Sequence, residues 1–434
     1  MSISYVPQNQ NIERERERVK RWFLASCNKS SKSFTLVELL IVIGILAALA
    51  STVVVVINPT EMLRQGRDST RMRELGSIHR ALSMFQIDRP TASIGYINTI
   101  HISIPDTSAT CANLGLPAPP PNWAYRCVNT EDLRRIDGNG WIPVNFTTMF
   151  QGSPLSHLPI DPTNTAVSSN FYVYVTDGRT WVLASLMESE RHIPSARRDG
   201  GTDFARFEAG NNLALWTTAS GLVGYWSFDE GTGTTARDLS GRGNTGTLQP
   251  TLSPPTWTTG RVGGALSFDG VNDFVNVGAG ASLNIINALT IEFWAKNFDW
   301  PSQQYRTVTW KGRHSSPPGW GVMTGDTRNN YGFYAWIGGV WTFTNGPALA
   351  NLDAWNHIVF TYDRTDNRIR IYYNGALVMS PVAAPAGGLI DTSGVSLRIG
   401  YPYSNFFHGL IDEVRIYNRA LTEAEVRANF NATR

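Results

Sequence analysis

A nearly uncharged apolar run extends from Phe34 to Ile57, and it limits what the first part of this chain can fold into. About 20 apolar residues in a helix suffice to cross a bilayer, so we predict a transmembrane or assembly helix over residues 34–57. One acid, Glu38, interrupts the run. An ionised carboxylate inside a span costs roughly 2.5–3.5 kcal/mol. Cleavage of the chain before Phe34 would offset this cost, because the new terminal amine would lie about one helical turn from the Glu38 carboxylate.

The residues around this acid form a recognisable pattern, Ser33-Phe34-Thr35-Leu36-Val37-Glu38-Leu39-Leu40. The pattern resembles the type IV prepilin signal, which the pseudopilins of type II secretion also carry. The resemblance implies that a prepilin peptidase cuts between Ser33 and Phe34 and that Phe34 is then methylated. It also implies that Glu38 pairs with the amine of an adjacent subunit during filament assembly. Ser33 stands where the family usually has Gly. An ordinary single-span anchor is the simpler alternative.

The distribution of charge predicts the orientation of the N-terminus. Residues 1–33, the predicted leader, carry a net charge of +4, whereas the whole chain carries +2. A basic flank holds the N-terminus in the cytoplasm. We therefore predict a single-pass inner-membrane protein that is extracytoplasmic, at the cell surface or in a pilus, after processing. The rest of the chain is nearly neutral, so we do not expect it to bind nucleic acid.

Composition and cysteine use both favour extracellular domains. Charged residues make up 17% of the chain and aromatic residues 11%, which suits β-rich domains. Cys111 and Cys127 form an even pair in a segment predicted to lie outside the cell. A disulfide between them would close a loop of about 16 residues and stabilise the fold by roughly 3 kcal/mol. Two unpaired thiols are the alternative, and the spacing matches no zinc pattern.

Residues 58–90 predict an amphipathic continuation of the first helix, after a break at Asn58-Pro59. The apolar stripe has helical spacing and consists of Leu75, Ile78, Leu82 and Phe85. Arg71 is expected to lie off that stripe. Residues 91–212 predict a small head with a hairpin across Asp177-Gly178, and residues 213–220 predict a linker. The resemblance to pilins implies an α+β arrangement, in which the long helix precedes a small antiparallel sheet.

Residues 221–430 predict a separate all-β domain, because short alternating runs recur between turn signals. Its motifs include Gly224-Tyr225-Trp226-Ser227-Phe228-Asp229-Glu230 and Gly409-Leu410-Ile411-Asp412-Glu413-Val414-Arg415-Ile416-Tyr417. Together they resemble a laminin G-like domain of the concanavalin A-like lectin/glucanase type. The resemblance implies a jelly-roll sandwich, a fold that serves lectins, enzymes and adhesion modules alike.

An inward-facing acid in this domain suggests a calcium site. Asp412 is in phase with Val414 and Ile416 on its strand, and an unpaired buried carboxylate is costly. The loop from Asp238 to Asn244 offers oxygen ligands of the kind that calcium takes, and domains of this family often carry such an ion. We therefore predict Ca²⁺ at Asp238, Asn244 and Asp412. The alternative is that Asp412 accepts hydrogen bonds from loop amides or from Arg.

Three tryptophans in the domain flank Gly-rich turns and are candidates for stacking on a sugar: Trp320, Trp336 and Trp341. The alternative is that they pack in the core, as aromatic residues of a sandwich usually do. Glycoside hydrolysis needs two carboxyl groups about 5–9 Å apart, and the sequence proposes no such pair. We therefore predict that the protein is not an enzyme.

These features together predict a pilin-like filament subunit or minor pilin that displays a lectin-like domain for surface adhesion or ligand binding. Its expected partners are prepilin peptidase, other pilin-like subunits, the inner membrane, and a carbohydrate or extracellular protein ligand. Two alternatives remain. One is a type II secretion pseudopilin with a structural extra domain, and the other is a membrane-tethered carbohydrate-active enzyme.

Overall fold

The computed structural model describes residues 35–298, 305–313, 316–325, 330–349, 353–401, 403 and 405–434. The chain divides after Met62 into two compact units, and each is described by itself. Ser33 and Phe34, the predicted cleavage and methylation site, lie outside the described residues.

The first helix, α1, extends from Leu36 to Ile57 and begins with a capping box. The backbone N–H of Thr35 donates to Glu38 Oε2 at 3.0 Å, and the N–H of Glu38 donates to Thr35 Oγ1 at 3.2 Å. The helix ends at Asn58, whose φ of 43° is left-handed. Pro59 opens the next helix, so the predicted break is confirmed. Within the described part of the chain, no helix combines enough length with enough apolar character to cross a membrane; the predicted span is not confirmed.

The second helix, α2, extends from Pro59 to Asp88. Its predicted apolar stripe, Leu75 to Phe85, is confirmed, because all four side chains are buried in the core of the head. The prediction for Arg71 is wrong, since this side chain is 0% exposed. It is buried because three carboxylates surround its guanidinium group, that of Asp68 on the same helix and those of Asp161 and Glu188 from elsewhere in the head.

The head contains a five-stranded sheet whose order is β2-β1-β3-β4-β5. Its strands are β1 (Thr99–Ile102), β2 (Ala124–Arg126), β3 (Val173–Thr176), β4 (Trp181–Leu186) and β5 (Arg206–Gly210). The predicted hairpin is confirmed as β3 and β4. One pair departs from the expected antiparallel arrangement: β1 and β2 are parallel. The connection between them, residues 103–123, is long enough for the crossover that parallel strands require.

The predicted disulfide stabilises this crossover. Cys111 lies within the connection and Cys127 directly follows β2, and the two are joined with a Cα–Cα distance of 5.3 Å. Two short helices complete the head, α3 (Ile193–Ala196) and α4 (Ala214–Ala219). The prediction of a linker over residues 213–220 is wrong, because Trp216 of α4 is buried in the same apolar cluster as the disulfide.

The remainder of the chain is the predicted two-sheet sandwich. Its strands are β6 (Leu222–Trp226), β7 (Thr235–Ala236), β8 (Gly246–Gln249), β9 (Thr256–Thr259), β10 (Gly264–Asp269), β11 (Phe274–Gly278), β12 (Ala288–Asn297), β13 (Thr307–Arg313), β14 (Ser316–Thr324), β15 (Tyr331–Ile337), β16 (Val340–Asn345), β17 (Asn356–Asp363), β18 (Arg368–Tyr373), β19 (Ala376–Leu377), β20 (Val382–Ala383), β21 (Leu397–Ile399) and β22 (His408–Tyr417). The last helix is α5 (Glu423–Thr433).

These strands form two sheets with a shared apolar core. The nine-stranded sheet has the order β19-β18-β17-β12-β22-β10-β9, with β20 beside β18 and β6 beside β22. The eight-stranded sheet has the order β16-β15-β14-β13-β21-β11-β8-β7. The two meet through inward side chains such as Phe333 and Phe360, whose rings stack with centroids 6.1 Å apart. Alternation along each strand leaves one outer face on each sheet.

Candidate functional site

The register of β14 and β15 decides which predicted tryptophans can reach a ligand. Trp320 lies opposite Ala335, and both face the core between the sheets. The prediction that Trp320 contacts a ligand is wrong, since its side chain is 0% exposed. Strand alternation turns its neighbours Gly321 and Met323 outward. Trp336 and Trp341 lie opposite each other on β15 and β16, and both are half-buried on the outer face.

Trp341 forms one wall of a cavity of about 320 Å³ on the outer face of the eight-stranded sheet. The side chains that line it are Tyr305, Met323, Tyr334, Trp341, Phe343, Asn345 and Tyr403. Of the three tryptophans that were predicted to contact a sugar, Trp341 therefore lines the cavity. Trp336 lies beside it, with its ring centroid 6.4 Å from that of Trp341.

Two stacked aromatic pairs shape this cavity. The rings of Trp341 and Tyr403 lie 5.6 Å apart at 24°, and those of Tyr334 and Phe343 lie 6.1 Å apart at 15°. The buried ring of Trp310 supports the first pair from below, 4.8 Å from Tyr403 and 6.1 Å from Trp341. The aromatic positions are therefore fixed by mutual packing before any ligand arrives.

Two glycines beside the cavity have no side chain that would take up space there. A Cβ atom on Gly332 would come within 2.2 Å of Asn345 Oδ1, and one on Gly321 within 2.9 Å of the Trp310 ring. The two-residue turn at Gly338-Gly339 also has positive φ at both positions, as a tight hairpin turn requires. This turn places β16 opposite β15, so that Phe343 lies directly across from Tyr334.

Most of the residues that line the cavity were not predicted from the sequence. The signal for Phe343 was the alternation Trp341, Phe343, Asn345 along β16, directly after a turn with two glycines. Tyr305 and Tyr403 had no such signal, because they precede β13 and follow β21 and only the fold brings them together.

The outer face of the nine-stranded sheet, in contrast, is covered. Helix α5 packs on it, with Phe430 stacked on Trp294 at 5.7 Å. Beneath the helix, the buried His357 Nε2 and Glu292 Oε1 lie 2.8 Å apart, and Asn429 donates to Glu292 Oε2. His357 is fully enclosed beneath the helix and has a structural role there.

The head covers more of the same face. Phe204 contacts Tyr225 of β6 edge to face, with centroids 6.4 Å apart, and the guanidinium of Arg415 lies over both rings. Residues Leu186 and Met187 of the head share an apolar cluster with α5. The head and the aromatic cavity therefore lie on opposite sides of the sandwich.

A charged cluster fastens the head to the sandwich. Glu425 of α5 accepts two hydrogen bonds from Arg419, at 2.8 and 2.9 Å, and one from Arg206 of the head at 3.4 Å. Arg419 also donates to the carbonyl of Ser220 at the junction. Burial alone would raise the pKa of Glu425, but the two guanidinium groups lower it to about 2. The carboxylate therefore stays ionised and bound to both arginines at neutral pH.

The predicted calcium ligands have separate partners. The carboxylate of Asp238 accepts backbone N–H bonds from Tyr225, Ser240 and Asn244, at 3.1, 2.9 and 2.8 Å. Asn244 Nδ2 donates to the carbonyl of Val223. Among the described residues, no group of three or more His, Cys, Asp or Glu side chains is arranged to hold a metal ion. Asp238 therefore orders its own loop through these hydrogen bonds, and its role as a calcium ligand stays a prediction.

Asp412 is buried, but the prediction that it lies in phase with Val414 and Ile416 is wrong, because a bulge in β22 places it opposite Trp294 on the other face of the sheet. It fits in part the alternative that it accepts hydrogen bonds from loop amides. Its Oδ2 accepts the N–H groups of Arg261 and Val262 at 2.8 and 2.9 Å, but its buried Oδ1 has no hydrogen-bond partner. The carboxylate lies where Glu413, with φ of 55°, makes a bulge in β22. Burial raises the pKa of Asp412 to about 8, and the charge of Glu413 adds to the rise. Asp229, which contacts the same turn through the N–H of Gly264, is a neighbouring oxygen donor that the sequence analysis missed.

Calcium remains a prediction, and a thermal shift tests where it would bind. We expect calcium at about 100 times its dissociation constant to raise the melting temperature by about 5 °C or more. Asp412→Asn should abolish this shift, because Oδ1 would be the ligand. Asp238→Asn should retain it, and magnesium serves as the control ion. A shift that survives in Asp412→Asn would contradict this assignment, and a shift lost only in Asp238→Asn would restore the original one.

Comparison with known proteins agrees with both resemblances. Residues 269–427 match the concanavalin A-like lectin/glucanases superfamily, and residues 28–54 match the prokaryotic N-terminal methylation motif. No curated protein matches the chain.

The chain is also similar to several solved structures. One is domain 4 of AbnA, an extracellular arabinanase from Geobacillus stearothermophilus, solved with arabinotriose; it has 21% identity and a TM-score of 0.39, covering 48% of this chain and 97% of that one. Another is the binding domain of Paraclostridial Mosquitocidal Protein 1, with 19% identity and a TM-score of 0.39, covering 49% and 52%. A third is Trypanosoma rangeli sialidase with sialic acid, with 14% identity and a TM-score of 0.37, covering 63% and 50%. The chain thus spans about half the length of the last two.

The chain therefore combines a prokaryotic N-terminal methylation motif with a concanavalin A-like, laminin G-like jelly-roll domain.

Proposed function

We propose that this protein is a pilin-like filament subunit or minor pilin that displays its jelly roll for surface adhesion or ligand binding. The methylation motif supports processing by prepilin peptidase and assembly with other pilin-like subunits. In this proposal the protein spans the inner membrane once before processing, with its N-terminus in the cytoplasm. After processing, its domains lie outside the cytoplasm, at the cell surface or in a pilus. The Cys111–Cys127 disulfide suits an oxidising compartment.

The observation that carries the proposal is the arrangement of the two sheets. The head and α5 cover the outer face of the nine-stranded sheet, and the Glu425 cluster fastens them there. The eight-stranded sheet keeps its aromatic cavity on the opposite side. A domain attached to the head through one sheet in this way leaves the outer face of the other sheet available to a ligand.

The chemistry of the cavity supports binding in preference to catalysis. Glycoside hydrolysis usually needs an acid and a second carboxylate on the two sides of the scissile bond. Among the described residues that line the cavity, none carries a carboxyl group. The buried Glu292 and Glu413 lie on the covered sheet instead.

The experiment uses cells that lack the protein, complemented with the full chain. We expect the protein in sheared surface filaments to begin with a methylated Phe34, as read by mass spectrometry, and adhesion to be lost without it. An uncut N-terminus would contradict the proposal. Unchanged adhesion with impaired secretion would favour the pseudopilin alternative, and hydrolysis of glycans by the purified protein would favour the enzyme.

A further inference from the structure

We propose that the aromatic cavity binds a short, uncharged saccharide, with Trp341 as the principal stacking surface. This inference rests on the proposed function and deepens it, because it names the class of ligand. It excludes acidic sugars, such as sialic acids and uronic acids, and it excludes a folded protein as the occupant.

The charge of the cavity favours a neutral ligand. All seven lining side chains are neutral among the residues that the structure describes. Arg398 faces the same side as Trp310, one strand away on β21, but its guanidinium lies over the ring of Tyr401 at 4.5 Å. An acidic sugar would lose part of its hydration in the cavity without gaining a counter-charge, and this loss is unfavourable. A neutral sugar has no such cost.

The aromatic walls of the cavity suit a sugar ring. The two stacked pairs, Trp341 with Tyr403 and Tyr334 with Phe343, form apolar walls that suit the C–H faces of a sugar ring. Polar atoms lie among them, because the hydroxyl of Tyr334 donates to Asn345 Oδ1 at 3.3 Å. Ligand sites characteristically combine apolar walls with a few polar groups that fix orientation.

The size of the cavity suits a short saccharide. A cavity of about 320 Å³ lies at the small end of the range for small-molecule sites, about 300–1,000 Å³. A stable protein partner would need about 800 Å² of surface on each side. One cavity of this size accommodates a short saccharide more readily than it supports such an interface.

The test titrates the full-length protein in detergent with neutral trisaccharides, cellotriose and maltotriose, and with the acidic probes 3′-sialyllactose and trigalacturonate. Binding is followed by tryptophan fluorescence and by isothermal titration calorimetry. We expect at least one neutral sugar to bind and neither acidic sugar to bind comparably. Trp341→Ala should weaken binding about tenfold or more, as loss of a stacking anchor does.

Matched phenylalanine variants separate the cavity from general effects. Phe343 is 59% exposed and lines the cavity, whereas Phe298 is 42% exposed and follows a strand of the other sheet. Phe343→Ala should weaken binding severalfold and Phe298→Ala should leave it unchanged, with both proteins melting as the parent does. These exposed positions keep the test valid even if Trp341→Ala folds poorly.

Several outcomes would overturn the inference. They are equal binding of an acidic sugar, binding that survives both cavity variants, and a failure of both neutral sugars to bind. These outcomes do not depend on the processing of Phe34 or on the adhesion of complemented cells. The saccharide inference and the proposed function can therefore be refuted independently.

Discussion

Replacing Arg71 with Met is expected to lower the free energy of unfolding by about 3–5 kcal/mol, because it leaves buried carboxylates without their counter-charge. The guanidinium donates to Asp161 through Nε and Nη2 at 2.7 and 3.0 Å. Its Nη1 donates to Asp68 at 2.8 Å and to Glu188 at 2.6 Å. Asp68 and Asp161 are themselves buried, so neither could recover its hydration.

Arg67 provides the matched control on the same helix. It also forms a bidentate pair with Glu188, at 2.7 and 2.9 Å, but its side chain is 32% exposed. Arg67→Met should therefore cost about 1 kcal/mol or less. Arg71→Lys should fall between the two, since lysine retains the charge and loses the planar fork. Urea denaturation of each purified variant measures these differences, and equal losses for Arg67→Met and Arg71→Met would show that burial of the network does not matter.

Replacing Glu38 with Ala is expected to abolish incorporation into filaments while leaving cleavage by prepilin peptidase intact. In the uncut chain, the carboxylate closes a capping box on Thr35. After cleavage, Thr35 would be the second residue and the amine of Phe34 would lie within about one turn of the carboxylate of the same or an adjacent subunit. An amine and a carboxylate that meet in an apolar setting attract each other strongly.

The substitution Glu38→Gln separates charge from capping. Glutamine retains an acceptor for the N–H of Thr35 and so preserves the capping box, but it has no charge for an amine. We expect Glu38→Gln to fail in assembly as Glu38→Ala does, measured as the protein recovered in sheared filaments relative to membranes. Assembly by Glu38→Gln would reduce the role of this acid to helix capping, and assembly by both variants would remove the basis for the filament proposal.

Single elements contain both residues whose environment the sequence predicts and residues whose environment it does not predict. The stripe from Leu75 to Phe85 was predictable because the periodicity of a helix is local. Arg71 on the same helix was not, since Asp161 and Glu188 lie 90 and 117 positions away in sequence. In the sandwich, β14 was hard to recognise from the sequence, because Pro317, Pro318 and two glycines obscure its alternation.

The candidate site divides in the same way. Trp341 was predicted from its position beside Gly338-Gly339, whereas Trp320, beside a similar pair of glycines, faces the core. The difference is one of phase: a strand residue changes sheet face with each step, and composition does not reveal which step faces inward. Asp412 was correctly predicted to be buried, but the bulge at Glu413 puts it out of phase with Val414 and Ile416. Its partners, the N–H groups of Arg261 and Val262, come from a turn about 150 residues earlier in the chain.

The sequence by itself determined the order of the parts: a methylation motif, an amphipathic helix, a disulfide-bonded head and a jelly roll. Each rests on local periodicity, motif spacing or cysteine count. Only the tertiary structure decided that α5 and the Glu425 cluster fasten the head to one sheet, and that Tyr305, Trp341 and Tyr403 meet on the other. These contacts join residues far apart in the chain, and their geometry depends on strand register and sheet packing, which no local pattern encodes.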